Sequence, residues 1–395
     1  MSWERYRLGD LYAVHNGLSK GSKFFGSGYG FLSFSTVFNN YFIPDELPDL
    51  VQSTEKEQES YSIKRGDIFL TRTSETADEL GMSCVALKDY PHATYNGFTK
   101  RLRPITDKVV PEYIGYYMRM PSFRNEFMAF STMTTRASLR NEDLLGLKVN
   151  LPNLDKQSSI ANILREYDYL IENNQKQIKL LEEAAQRLYK EWFIDHHFPG
   201  YENVKIVDSI PEGWNIRKLA DVADIIMGQS PTSDTFNLNR NGLPFHQGVG
   251  SYGNRYVKNK VYTTSYTRIA NADSILFSVR APVGRLNVTK NKIVIGRGLA
   301  AFNQKQGYQN YLFYMLKEHY FKDDLIGNGS IFSSITKNEL MNQKFIIPDT
   351  KTMLAYDNIA KIIDKKIDNL DCQIDLISEA RNRLLPKLMS GEIEI

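Results

Sequence analysis

The sequence predicts an α+β protein built as two tandem copies of one unit, in which a strand-rich module precedes a long helix. Three observations lead to this prediction: an internal repeat, a heptad pattern of apolar residues near the end of each copy, and short strand patterns between turn residues inside each copy. At 395 residues the chain is long enough for two such units, each with an ordinary hydrophobic core.

The repeat has similar ends and a divergent interior. With an offset of 196, residues 138–188 align without a gap on residues 334–384, and 16 of these positions are identical. With an offset of 211, five residues near the start of the chain recur: Trp3, Leu8, Asp10, Gly17 and Ser19 match Trp214, Leu219, Asp221, Gly228 and Ser230. Because the period is about 200 residues, the pattern indicates a duplicated domain and a pseudo-two-fold internal repeat, not a solenoid.

These matches divide the chain into five predicted segments. The two modules cover residues 1–150 and 211–347, the two helical segments cover residues 151–198 and 348–395, and residues 199–210 form a linker. Inside the modules we expect strands at residues 30–37, 67–70, 274–279 and 292–295, and helices at residues 113–118 and 311–318.

Both helical segments carry apolar residues in alternating steps of four and three, which is typical of a coiled coil. The pattern predicts that the two helices bury these seams against each other, and the pseudo-two-fold repeat makes the pair antiparallel. The seam residues that we expect to carry the pairing and any subunit docking are Leu164, Ile171, Ile178, Leu181, Leu188, Ile363, Ile367, Ile374, Ile377 and Leu384. Asn174 occupies the first seam where the second has Leu370, and it either fixes the register or is solvated.

Loops that follow the predicted strands have a composition suited to nucleic acid. Arginine can hold a guanine edge with two hydrogen bonds and glutamine an adenine, while serine, threonine and lysine hold phosphates. The candidate DNA-binding residues are Arg72, Thr73, Ser74, Lys100, Arg101, His246, Gln247, Tyr252, Arg255, Arg280, Arg285 and Arg297. Taken alone, each of them is better explained as a solvated loop side chain, and the recurrence of such residues at matching places in both copies favours the DNA interpretation.

Charge supports this interpretation more strongly in the second module. Residues 211–347 hold 17 Lys and Arg against 9 Asp and Glu, whereas residues 1–150 hold 18 of each. A basic segment is a plausible footprint for a polyanion. No apolar run is long enough to cross a bilayer, and two cysteines make no disulfide framework, so we expect a cytoplasmic protein without membrane contact.

Motifs for catalysis are weak. Residues 24–28 read Phe-Phe-Gly-Ser-Gly, which fits the Phe-x-Gly-x-Gly pattern of adenosylmethionine-dependent methyltransferases. No apolar strand precedes this pattern, however, and no Asn-Pro-Pro-aromatic motif follows it. The sequence has no phosphate loop and no His or Cys cluster with metal-ligand spacing, so we expect neither a catalytic residue nor a metal site.

The whole chain resembles the specificity (S) subunits of type I restriction–modification systems. The resemblance lies in the order of five segments around the duplicated helix: residues 67–74 (DIFLTRTS), 278–284 (SVRAPVG), 295–300 (IGRGLA), 211–214 (PEGW) and 383–391 (RLLPKLMSG). It implies two target recognition domains that each read half of a bipartite site in double-stranded DNA. It also implies an antiparallel coiled coil that docks two methyltransferase (M) subunits.

By the same resemblance the chain selects where adenine is methylated and DNA is cleaved, and it performs neither reaction. No cofactor is expected on this chain, whereas the partner subunits, including the restriction and motor (R) subunits, would use S-adenosylmethionine, ATP and Mg.

Two other functions are compatible with parts of the pattern. A non-DNA scaffold that holds a protein partner at each module would also fit acidic helices beside variable modules, and its binding would depend little on salt. A stand-alone DNA methyltransferase would be labelled by adenosylmethionine, and the missing Asn-Pro-Pro-aromatic motif argues against it.

Overall fold

A computed structural model describes residues 3–74, 80–129, 132–133, 137–138, 140–320 and 334–395. The chain forms two compact units, one of residues 1–173 with 373–395 and the other of residues 174–372. Each long helix therefore contributes one half to each unit. In the described part of the chain, no helix has the length and apolar character needed to cross a membrane.

Unit 1 contains a strand-rich module that is framed by short helices. Its elements are β1 (Glu4–Arg7), α1 (Leu8–Leu11), β2 (Tyr12–Asn16), β3 (Phe25–Leu32), α2 (Phe34–Asn39), β4 (Asp49–Val51), α3 (Glu55–Ser60), β5 (Ile68–Thr71), β6 (Thr73–Ser74), β7 (Ser83–Val85), β8 (Thr94–Tyr95), β9 (Thr99–Pro104), α4 (Pro111–Tyr117), α5 (Pro121–Ala129), β10 (Thr132–Met133), β11 (Ala137–Ser138), α6 (Asn141–Gly146) and β12 (Lys148–Leu151). The first long helix, α7 (Leu154–Phe193), follows.

Unit 2 contains a second strand-rich module, which differs from the first in several of its short helices and strands. Its elements are β13 (Ile206–Val207), β14 (Ile210–Pro211), β15 (Asn215–Lys218), α8 (Leu219–Val222), β16 (Ala223–Met227), β17 (Phe236–Asn237), β18 (Leu243–His246), β19 (Tyr262–Thr263), β20 (Ile269–Ala270), β21 (Ile275–Ser278), β22 (Leu286–Val288), β23 (Ile293–Ile295), β24 (Leu299–Gln304), α9 (Gln309–Tyr320), α10 (Lys337–Asn342) and β25 (Lys344–Ile347). The second long helix is α11 (Thr350–Ser390).

The two modules share the topology of one sheet and of the strands that flank it. A four-stranded antiparallel sheet has the order β2-β9-β5-β7 in unit 1 and β16-β24-β21-β22 in unit 2. The strand before each module pairs with the strand after it, β1 with β12 and β15 with β25. A parallel pair, β3 with β8 and β18 with β23, lies beside the sheet in each module. The repeat is thus visible in the structure of the module interiors, although their sequences have diverged.

Each unit has a main core in which the module packs on the long helices. In unit 1 the buried Tyr113 and Ile114 of α4 cluster with Ile160 and Leu164 of α7 and with Leu388 of α11. In unit 2 the core joins buried residues of α9, such as Tyr311 and Tyr314, to Tyr189, Phe193 and Tyr356 of the long helices. Burial of such aromatic side chains supplies much of the packing that holds the module on the helices.

The long helices pair as predicted. In unit 1 the first half of α7 packs against the second half of α11, and in unit 2 the remaining halves pack together, so the pair is antiparallel. The predicted seam residues Leu164, Ile171, Ile178 and Ile367 are buried, and Asn174 is buried with them. The other predicted seam residues are partly buried: Leu181, Leu188, Ile363, Ile374, Ile377 and Leu384. The α+β class with two paired long helices is confirmed.

One predicted strand is only half right. Residues 30–32 belong to β3, but the segment from Phe34 to Asn39 is helix α2. Ser33 caps this helix, because its hydroxyl accepts a hydrogen bond from the Thr36 amide at 3.3 Å. Apolar residues on both sides of Ser33 give the segment the composition of a strand, whereas the serine cap starts a helix. The other predicted strands and helices match β5, β21, β23, α4 and α9 within two residues at each end.

Candidate nucleic-acid interface

Three strand ends meet at one edge of the second module. We call this the second loop cluster, and it consists of residues 228–230, 246–248 and 296–298. Gly228 N donates to Leu299 O at 2.9 Å, Gly296 N to His246 O at 2.8 Å, and Gly298 N to Gln247 O at 3.2 Å. These backbone bonds hold loops that follow β16, β18 and β23 side by side.

A glycine and a serine shape this cluster. A Cβ atom on Gly228 would lie 2.1 Å from the Gly296 carbonyl oxygen, so no other residue fits there without a shift of the backbone. The Ser230 hydroxyl donates to Gln247 Oε1 at 2.7 Å and accepts from Arg297 N at 3.2 Å. Ser230 therefore links the two loops that carry Gln247 and Arg297.

The first module contains the same arrangement, which we call the first loop cluster (residues 17–19, 32–33 and 96–98). A Cβ atom on Gly17 would lie 2.1 Å from Asn96 O, and one on Gly97 would lie 2.1 Å from Ser19 Oγ. Asn96 N donates to Leu32 O at 3.0 Å, as Gly296 N does to His246 O. The repeated pairs Gly17/Gly228 and Ser19/Ser230 thus have a structural reason in both modules.

The tips of the two clusters present different side chains. At corresponding places the first cluster has Gly97 and an exposed Phe98, whereas the second has the exposed Arg297 and then Gly298. Gln247 is also exposed in the second cluster. Guanidinium and amide groups can read base edges, and an exposed phenyl ring can pack on a base or a thymine methyl group.

Of two further predicted arginines, Arg280 borders the second cluster and Arg285 lies one strand away. Val279 N donates to Gly298 O at 2.9 Å, which places the exposed Arg280 next to the loops. Arg285 precedes β22 on the neighbouring strand and is partly buried. In the first module Arg72 N donates to Phe98 O at 2.9 Å, so Arg72 borders the first cluster at the position that Val279 has in the second. The backbone of Thr73 and Ser74 belongs to β6, and their side chains lie outside the described part of the structure.

Lys100 and Arg101 do not fit the predicted direct contact with DNA. Both lie on β9, an inner strand of the sheet, and their exposed fractions are 4% and 3%. Lys100 Nζ donates to Asn141 Oδ1, and Arg101 Nη1 donates to Ser62 O at 2.7 Å. Burial lowers the pKa of both side chains, although these internal partners compensate part of the cost of desolvation.

His246 and Tyr252 also point inward. The imidazole is fully buried between Ser251 Oγ at 2.7 Å and Asn259 Oδ1 at 2.9 Å, and burial lowers its pKa. The hydroxyl of Tyr252 is buried as well, and burial raises its pKa. The predicted contact of these two residues with DNA does not fit, because the imidazole and the Tyr252 hydroxyl are both buried inside the module.

Arg255 has a different partner from the one predicted. It is 3% exposed, and its Nη2 atom lies 2.6 Å from Asp364 Oδ2 on α11. Its guanidinium also lies over the ring of Phe313, 3.4 Å from the centroid. A side chain buried in this way cannot contact DNA without leaving an uncompensated carboxylate behind. Nothing near Arg255 in the sequence indicated this partner.

The sequence interpretation missed a second feature, an exposed stripe on each long helix. We call it the outer stripe: Gln177, Leu180, Ala184 and Arg187 on α7, and Gln373, Leu376, Ala380 and Arg383 on α11, all of them exposed except Gln177, which is partly buried. The residues are identical in pairs under the offset of 196 and keep the heptad spacing one position before the buried seam. Leu180 and Leu376 are 64% and 65% exposed. The sequence does contain a signal for this stripe, because several residues that are identical in the two helices lie one position before the seam.

No group of three or more His, Cys, Asp or Glu side chains that could hold a metal ion occurs among the residues that the structure describes.

Comparisons with known proteins agree with this architecture. The family model for the type I restriction modification DNA specificity domain matches residues 1–183 and again residues 211–385. The chain is 30% identical over 401 residues to a protein of Methanocaldococcus jannaschii that has the provisional name type I restriction enzyme MjaX specificity subunit, covering 100% of this chain and 94% of that one. It is 25% identical over 362 residues to the MjaIX specificity subunit of the same organism, covering 87% and 82%.

Among solved structures, the chain is similar to the S subunit of a type I restriction–modification system from M. genitalium. The TM-score is 0.54 at 14% identity, and the match covers 98% of this chain and 96% of that one. At this identity the likeness supports the fold alone.

Proposed function

The chain belongs to the family of type I restriction–modification DNA specificity domains, and we propose that each of its two loop clusters reads one half of a bipartite site in double-stranded DNA. A specificity subunit is a non-catalytic component of its system. In this proposal the chain directs adenine methylation and ATP-dependent cleavage that partner subunits carry out.

The observation that carries the proposal is the repetition of one loop scaffold with different tips. The Gly-x-Ser turns at residues 17–19 and 228–230 close both clusters with an equivalent backbone hydrogen bond, from Leu18 N to Tyr95 O and from Gln229 N to Ile295 O, each at 2.9 Å. The tips differ, with Phe98 in the first cluster and Gln247 and Arg297 in the second. One scaffold with two sets of exposed side chains suits a target whose halves have different sequences.

The outer stripe supports the proposal that two M subunits bind. A single exposed leucine is common on protein surfaces, but here the same leucine is exposed among the same neighbouring residues on both helices. In each stripe the arginine pairs with a glutamate one turn earlier, Arg187 with Glu183 and Arg383 with Glu379. A surface that is presented twice suits two copies of one partner.

We assign the cofactors of the system to the partner subunits. In this proposal S-adenosylmethionine, ATP and Mg act on M and R subunits, and the complex works in the cytoplasm, where chromosomal DNA is accessible. No described residue of this chain is given a catalytic role.

Expression with its M subunit followed by methylome sequencing tests the proposal. We expect adenine methylation at one bipartite motif, and we expect binding of the complex to DNA to weaken steeply as salt rises, because phosphate contacts release counterions. If no motif is methylated and the affinity of the complex for DNA does not change with salt, the protein scaffold is favoured instead.

A further inference from the structure

Two equivalent aspartates anchor the modules to the long helices. Asp168 on α7 and Asp364 on α11 correspond under the offset of 196, and each is 8% exposed. Each accepts a hydrogen bond from a tyrosine on a helix of its module. Tyr116 on α4 donates to Asp168, and Tyr314 on α9 donates to Asp364 at 2.9 Å. A buried carboxylate also needs a cation nearby.

The cation has a different origin in each unit. Asp168 is paired with Arg381, which lies on α11 at the seam position that corresponds to Ala185 of α7. Asp364 is paired with Arg255, which lies in the connection between β18 and β19 of the second module. The cation beside Asp168 therefore comes from the helix pair itself, whereas the cation beside Asp364 comes from the second module.

Arg255 is well placed to transmit the position of the helix to the recognition strands. Its carbonyl oxygen accepts a hydrogen bond from Val288 N at 3.0 Å, and the Asn287 side chain donates to Gly253 O at 3.0 Å. Both bonds come from β22, the strand that Arg285 precedes. The same residue thus contacts α11 with its side chain and β22 with its backbone.

The surroundings leave Arg255 no exposed alternative. The guanidinium packs over Phe313 and lies 5.4 Å from the ring centroid of Tyr314, and Glu182 is 4.0 Å from Nη1. Loss of Arg255 would leave Asp364 buried without its closest cation, and loss of one member of a buried pair is strongly destabilising.

We propose that Arg255 is the positioning residue that fixes the second recognition module on the helix pair, and that the two modules therefore differ in how freely they can be exchanged. This inference rests on the proposed function. Exchange of residues 20–137 leaves the pair of Asp168 and Arg381 intact. Exchange of residues 231–333 removes Arg255, so a transplanted second module must bring an arginine at this place.

The test uses the full chain in complex with its M subunit. The variants Arg255→Gln, Asp364→Asn and the double variant are compared with the matched set Arg381→Gln, Asp168→Asn and their double variant. Thermal unfolding measures the pair, and methylome sequencing measures the reading of each half-site.

We expect Arg255→Gln to lower the melting temperature by about 6–20 °C and the added Asp364→Asn to restore much of the loss, since a neutral amide needs no cation. Methylation by Arg255→Gln should become less selective in one half of the motif, or shift in spacing, while the other half stays unchanged. The double variant should regain selectivity. Arg381→Gln should lower stability without relaxing that same half-site.

Three results would overturn the inference: no loss of stability in Arg255→Gln, equal relaxation of both halves, or selectivity that does not return in the double variant. If Arg255→Gln does not accumulate, two exchanges of residues 231–333, one keeping Arg255 and one with glutamine there, give the same comparison. Failure of the wild-type complex to methylate any motif would contradict the proposed function, and the unfolding measurements would still decide the role of Arg255.

Discussion

The carbonyl oxygen of Asn96 lies 2.1 Å from the position that a Cβ atom on Gly17 would occupy. Gly228 has the same relationship to the carbonyl oxygen of Gly296 in the second module. Both glycines end the first strand of their sheet and allow the β8–β9 and β23–β24 loops to approach. The shape of each loop cluster therefore depends on one residue that has no side chain.

We predict that Gly17→Ala destabilises the chain by about 1–3 kcal/mol, because a methyl group there forces two backbones apart. The change should also weaken reading of one half-site only. Gly21 offers a matched control, since a Cβ atom on it would meet nothing within 4 Å. Denaturant unfolding and methylome sequencing of both variants check the prediction. Equal stability of Gly17→Ala and Gly21→Ala would contradict it.

Arg297 is expected to contribute to base reading from the tip of the second loop cluster. Its side chain is exposed, while its backbone amide is fixed by Ser230 Oγ. We predict that Arg297→Ala costs about 1–3 kcal/mol of binding to the cognate site and relaxes one position of the motif. A phosphate contact would instead weaken all DNA sequences and flatten the salt dependence.

Binding titrations with cognate and altered duplexes at several salt concentrations distinguish these outcomes. Arg217 provides the control, because it is also exposed but lies on β15, which forms a two-stranded sheet with β25. If Arg72→Ala, Arg280→Ala, Arg285→Ala and Arg297→Ala all leave the affinity and the methylation motif unchanged, the loop clusters are not the interface.

Local patterns predicted the helices well and the site only in part. The seam of α7 and α11 follows from heptad spacing because a helix brings residues three and four apart onto one face. The sequence did not reveal that Lys100 and Arg101 are buried. They lie on β9, an inner strand that is buried on both faces, and such a strand shows no alternation of apolar and polar residues. Arg255 was misplaced because its partner is 109 residues away in the sequence.

The pH dependence of stability should report on His246. Burial lowers its pKa from the ordinary value of 6.5, so the unfolded chain takes up a proton more readily than the folded chain. Its contribution to stability is therefore present above about pH 6.5 and is lost as the pH falls through the lower pKa of the folded state. We predict that the melting temperature falls between pH 7.5 and pH 5 more in the wild type than in His246→Gln.

His15 and His196 remain in both proteins, so the difference between the two pH profiles isolates His246. The corresponding backbone position in the first module is held by Leu32, whose side chain has no proton to gain or lose. Parallel profiles for the wild type and His246→Gln, measured by calorimetry, would show that the buried imidazole does not contribute.

The outer stripe makes a prediction about stoichiometry. If Leu180 and Leu376 each form the centre of one docking surface, Leu180→Asp should remove one M subunit and leave the other bound, and Leu376→Asp should do the same. An exposed leucine that becomes buried in an interface can contribute about 2 kcal/mol or more, and a carboxylate in its place adds a cost of desolvation. The double variant should bind no M subunit.

Native mass spectrometry of the purified complex counts the bound subunits. Ile362→Asp is the matched control: Ile362 is 73% exposed on α11, but the corresponding residue of α7 is Glu166, so this surface is not repeated. The control should keep two M subunits. Two copies of one partner need two equivalent surfaces. If the double variant Leu180→Asp/Leu376→Asp still binds two M subunits, the docking surface therefore lies elsewhere on the chain.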